Sequence, residues 1–217
     1  MDTSASVPGS SSTFHFLSFD FTAPQPTQDA ELLRQLSFIP GLKEMILLRQ
    51  VHALEHATVW VLSETNSAYA PKSKPTKVQV DNELLGGLST EKGFYLYGEV
   101  NISDLRRAVT LGLNRLINGE WDLAVHPRCG TNASVAMLLT AGLAVGVNLL
   151  LPFRPIEQLI GLGIAATTAA EIAPDLGSIA QRYLTTAIPF NLTIENITLS
   201  RDVWGRQGHF VKVSWRE

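Results

Sequence analysis

An α+β fold, mainly helical with short strands and extended by an apolar helical hairpin, follows from three features of the sequence. Apolar residues crowd Met45–Leu62 on most sides of a helix and recur at helical spacing over Leu105–Ile117. Aromatic and β-branched residues gather in short runs at Phe94–Val100 and His209–Trp215, as strands require. Two stretches, Ala133–Leu151 and Leu159–Ala170, carry no charge at all. Composition points the same way. Of 217 residues, 17% are charged and 45% hydrophobic, against roughly 25% charged in an ordinary soluble chain. That balance excludes intrinsic disorder and predicts a membrane-embedded part. A net charge of −3 provides no basic field to hold nucleic acid, so membrane lipid is the expected partner and nucleic acid is not. One cysteine cannot close an intramolecular disulfide, which rules out a disulfide-stapled secreted domain.

Residues 1–27 read as a Ser/Pro-rich tail with one strand. Met1–Thr13 has no basic residue and no apolar core, so it does not resemble a secretory signal. Phe14–Phe21 alternates Phe with one slip, a strand pattern in which His15 faces solvent. Residues 28–132 read as an α+β domain. Thr27 or Asp29 caps a short helix over Ala30–Phe38, and Pro40 suits the first turn of a long helix ending near Ser63. Its apolar residues crowd most of the circumference, so it is expected to be buried. Asn66–Thr76 is a loop, and Gly86–Gly87 within Leu84–Leu88 signals a turn. Phe94–Val100 is a strand. Ser103 then caps a helix ended by Asn118–Gly119.

Residues 133–173 read as the hairpin. Ala133–Leu151 reaches the roughly 20 residues needed to cross the hydrocarbon core. Pro152–Pro155 is a tight turn. The second run is short and cut by Glu171, but its small residues favour close helix packing in lipid, so that arm is expected to be tilted or partly inserted. Arg115, Arg128 and Arg182 flank one side of the hairpin against Arg154 at the turn, which places the soluble part in the cytoplasm. Residues 174–217 read as an amphipathic segment followed by a β-hairpin, Leu192–Leu199 with Gly208–Trp215, able to pair with the Phe14–Phe21 strand.

His52-Ala-Leu-Glu55-His56 carries the strongest chemical signal. Four residues apart on a helix, His52 and His56 project from one face, close enough for both imidazoles to grip one ion. Glu55 lies in the same arc, placed to polarise a metal-bound water or to orient a ligand. This is the reversed zincin order, H-x-x-E-H, and zinc suits two imidazoles plus a further N, S or O donor. Placing two His and a Glu in an apolar helix costs desolvation energy unless they are satisfied, either by a metal or by one another in a hydrogen-bonded cluster. His126-Pro-Arg-Cys129-Gly-Thr-Asn132 is the second signal. Its Pro and Gly force a turn, and Thr131 or Asn132 is a natural cap for the next helix. The helix dipole and Arg128 are expected to depress the Cys129 pKa. His126 and Cys129 are the further candidate donors; Cys129 as a nucleophile, or as a plain buried thiol, stays open. Glu99, Glu120 and Asp122 are secondary candidates.

An H-x-x-E-H helix, an H-P-R-C-G-T turn, apolar helices and then Gln181-Arg-Tyr-Leu-Thr-Thr before Pro189 together resemble the YqhQ-like family of bacterial membrane proteins. A closer likeness is to an uncharacterised cyanobacterial group with HALEHAT and HPRCGTN elements. The resemblance spans Gln50–Pro189 and implies a metal site drawn from His52, Glu55, His56, His126 and Cys129, with no established reaction. The strand-like tail from Leu192 departs from the helical ending the family implies. Two functions follow. The first is a membrane-associated zinc site that is closed and structural, in an assembly factor with a membrane-protein partner. The alternative is a zinc-dependent hydrolase of peptide or lipid-linked substrates, with Glu55 as general base.

Overall fold

The structure, a computed structural model, describes residues 24–68, 81–150 and 154–216. The strand expected at Phe14–Phe21, His15 and most of the loop expected after Asn66 lie outside the described residues. The fold is α+β. Helix α1 (Gln28–Gln35) places Asp29 and Glu31 in its first turn, where the helix dipole favours them. Helix α2 (Leu42–Ala68) follows a turn in which Gly41 takes φ 79°. It outruns the expected end at Ser63, because neither Gly nor Pro interrupts it before Ala68.

Helix α2 forms the centre of the molecule. From Val51 to Ser63 every residue is buried except His52, which is half-buried. Leu54, Val51 and Leu62 pack with Phe94, Leu96, Leu105, Val109 and Val211 in the main core. Ala53, Ala57 and Trp60 pack with Leu116 and Leu123 on another side. Helix α3 (Ile102–Ile117) crosses α2 closely, since a Cβ at Gly112 would sit 3.2 Å from Ala57. The cap of α3 is Asn101, not Ser103. The Asn101 side chain accepts from the Ser103 amide, and α3 starts two residues earlier than expected. The chain leaves α3 through Asn118 and Gly119, as the sequence predicts.

Four antiparallel strands, β1 (Gly86–Thr90), β2 (Gly93–Tyr97), β3 (Leu192–Arg201) and β4 (Gln207–Trp215), form one sheet in the order β1-β2-β4-β3. The C-terminal hairpin is where the sequence places it, with a register shift between Ile194 and Asn196. Its neighbour in the sheet is β2, with Phe94 opposite Val211. Gly86–Gly87 is not a turn. It opens β1, with Gly86 opposite Tyr97 and Gly87 opposite Leu96.

Helices α4 (Gly130–Leu150) and α5 (Pro155–Ala180) pack together as a hairpin, and both are long and apolar enough to cross a membrane. No residue of α4 is buried, and Met137, Leu138 and Leu149 are at least 73% exposed. The second arm is neither short nor cut at Glu171. It runs on through Pro174 to Ala180 and a π-helical turn, Gln181–Thr185. Every fourth residue of one stripe, Gly161, Ala165, Ala169, Ala173 and Gly177, is buried. Small side chains let the two backbones approach, while Glu171 and Asp175 stay exposed. At the base of the hairpin the Gln181 side chain donates to Asn132 Oδ1 at 2.7 Å and accepts from the His126 amide at 2.8 Å. The expected turn at Pro152–Pro155 is described only from Arg154 onward, and Pro155 opens α5.

Candidate metal centre

Three segments converge on one point: the middle of α2, the turn before α4, and the π-helical turn after α5. A 3-10 turn, Trp121–Ala124, leads into the His126–Gly130 segment. That segment is pinned from several sides. The Cys129 amide donates to the His126 carbonyl at 3.2 Å, and Asn132 Nδ2 donates to the Pro127 carbonyl at 2.7 Å. Arg128 reaches out to both Asp81 carboxylate oxygens and to the Asn82 carbonyl. On α2, Arg49 binds the carbonyls of Tyr183 and Thr186, tying the helix to the chain beyond α5.

His52, His56 and Cys129 come together: one ligand atom from each lies within 4.8 Å of the others. The imidazole rings meet edge-on at 4.4 Å between centroids. Each ring is oriented by a backbone carbonyl. His52 Nδ1 donates to Thr185 O at 3.0 Å and His56 Nδ1 donates to Ala124 O at 2.7 Å. Those bonds engage Nδ1 of each ring, and His52 Nε2 is hydrogen-bonded to the Cys129 sulfur at 3.3 Å. A carbonyl behind each ring is the usual support for an imidazole that ligates a metal. The trio lines a cavity of about 550 Å³, shared with Glu55 and Ser89.

Cys129 immediately precedes α4, and its sulfur accepts from the Thr131 amide at 3.4 Å. The sulfur, not Thr131 or Asn132, occupies the capping position. Burial pushes the thiol up, but the His56 imidazole and the Thr131 amide outweigh it and hold the pKa below its ordinary value. Arg128, expected to share in this, points instead at Asp81. His126 lies beside the trio rather than in it. Its Nδ1 faces the Arg128 amide at 3.3 Å, and its Nε2 lies 3.3 Å from Asp81 Oδ1. Its ring lies tilted against those of His56, with centroids 5.6 Å apart, and Trp60, 4.7 Å apart. Burial and the nearby His56 bring its pKa down to about 4.

Glu55 is buried, with its carboxylate between β1 and α2. Ser89 donates to Glu55 Oε2, and a Cβ at Gly87 would overlap the same carboxylate. Burial raises its pKa, against the opposing pull of Ser89 and His52. Ser89 and Gly87 are site members that no motif marks; Gln181 and the Thr185 carbonyl belong to the Gln181-Arg-Tyr-Leu-Thr-Thr stretch, which carries no site role in the sequence reading. The Gly86–Gly87 pair was the available signal, since a glycine facing a buried carboxylate marks a close approach. The secondary acids lie elsewhere: Glu120 pairs with Arg115, Asp122 pairs with Arg182, and Glu99 is exposed.

Comparison with known proteins places these elements in one family. A family model described as Domain of unknown function (DUF6391) matches residues 47–197, from the first half of α2 to β3. The chain belongs to the DUF6391 family. It is also 52% identical over 198 residues to an uncharacterized protein of the cyanobacterium Picosynechococcus, covering 91% of this chain and 94% of that one. The cyanobacterial likeness read from the sequence thus has a relative behind it, whereas the family matched is DUF6391 and not the YqhQ-like one. No solved structure matches the chain.

Proposed function

We propose that this DUF6391 protein is a membrane-associated zinc hydrolase of peptide or lipid-linked substrates, with zinc held by His52, His56 and Cys129. One observation carries the reading: three donors converge on the wall of a cavity that also holds Glu55. Two nitrogens and one sulfur suit zinc, and three protein ligands leave a position for water or substrate. Bound there, zinc polarises a substrate carbonyl and acidifies water. The remaining chemistry belongs to the chain. The Glu55 carboxylate takes the proton of the attacking water and passes it to the departing group as the acyl bond breaks. Ser89 and Gly87 hold that carboxylate in place. His126 supports the trio from behind, through its contact with the His56 ring.

A closed structural site, as in an assembly factor, needs a fourth donor; among the described residues His, Cys, Asp and Glu supply three. The membrane part of the proposal rests on the exposed apolar hairpin, with lipid as its partner. Glu55→Gln is expected to keep stoichiometric zinc by elemental analysis while abolishing cleavage of a mixed peptide library in detergent micelles, read by mass spectrometry. Loss of zinc in that variant, or undiminished cleavage, would overturn the assignment of Glu55 as base.

A further inference from the structure

Strand β1 is an edge of the sheet: it pairs with β2 on one side and has no strand partner on the other among the described residues. Four of its five residues, Gly86–Ser89, line the cavity that contains the trio. The free edge begins at the Leu85 carbonyl, which Arg128 covers from the cavity wall. Beyond that point Gly86 and Gly87 carry no side chains, and among the described residues no strand covers the edge where it passes Glu55. A bare strand edge offers unpaired N–H and C=O groups, the template for adding an extended peptide as a further strand. Three exposed apolar side chains line the cavity alongside Arg49 and Arg128: Met45 is 53% exposed, Leu48 40% and Leu184 70%.

We infer that the substrate is an extended polypeptide segment with apolar side chains, bound by strand addition to β1 so that one peptide carbonyl lies between Glu55 and the trio. This rests on the zinc reading and names its substrate class. Main-chain pairing to β1 fixes the register, and Met45, Leu48 and Leu184 receive the side chains. The site sits where α4 begins and the turn after α5 ends, so apolar segments at a membrane surface are the polypeptides it meets.

Three zinc-binding probes separate the possibilities on the zinc-loaded full chain in detergent micelles: acetohydroxamate, octanohydroxamate and a leucine tripeptide hydroxamate. The tripeptide is expected to bind at least about tenfold more tightly than either of the others. It alone is expected to slow amide exchange across Gly86–Thr90. Octanohydroxamate matching the tripeptide, without protection of β1, would overturn the inference in favour of an acyl chain. Equal affinities of all three would overturn it while leaving the metal centre intact. Absence of stoichiometric zinc by elemental analysis would remove the metal centre and this inference with it.

Discussion

Glu55 is held by two neighbours of opposite kind, a hydroxyl that donates to it and a glycine that makes room for it. Gly87→Ala is therefore expected to displace the carboxylate while leaving the trio untouched. Cleavage should fall at least about tenfold, equivalent to about 1.4 kcal/mol of lost transition-state stabilisation, with zinc content unchanged; an undiminished rate would show that the position of Glu55 is immaterial. Asp202 illustrates pH dependence away from the site. Burial pushes its carboxyl up, but Tyr97, Arg206 and the amides of Arg206 and Trp204 hold it down to about 2. A carboxyl depressed in the folded state stabilises fully above its unfolded pKa of about 3.9, and that contribution fades as pH falls toward 2. Denaturation midpoints measured from pH 5 to pH 2 should decline, and Asp202→Asn should flatten that decline.

The buried stripe of α5 makes the hairpin sensitive to side-chain size at alternate neighbours. Ala169 is 1% exposed against α4, whereas Ala170 is exposed. Ala169→Leu is expected to destabilise the protein in micelles by about 1–3 kcal/mol through overpacking, while Ala170→Leu leaves the melting temperature unchanged. Equal effects would mean that the stripe does not form the helix contact. The same helix shows where sequence reading stops. Charge at Glu171 suggested an end, but helix continuation depends on which face a charge takes, and Glu171 and Asp175 both face outward. Asn101 takes the cap because its side chain accepts from both the amide and the hydroxyl of Ser103, which engages Ser103 inside the first turn. Gly86–Gly87 reads as a turn from local propensity alone; pairing with β2, a non-local contact, makes it a strand. The C-terminal hairpin was legible from its period-two alternation, the long helix from apolar residues around most of its circumference, and the apolar arms from their uncharged runs.

Across the whole molecule, the site is assembled from segments distant in the chain: the contact of Cys129 with His52 spans a separation of 77, and that of His126 with Gln181 one of 55. The motifs named His52, Glu55, His56, His126 and Cys129, but only the fold separates the trio from His126, whose ring nitrogens turn to Arg128 and Asp81. The hairpin sets the location of the site, since Cys129 precedes α4 and Thr185 closes the turn after α5. X-ray absorption at the zinc edge of the purified full chain tests the account most directly. It should show one zinc per chain with two nitrogens at about 2.0 Å and one sulfur at about 2.3 Å. No stoichiometric metal, or a shell without sulfur, would contradict it.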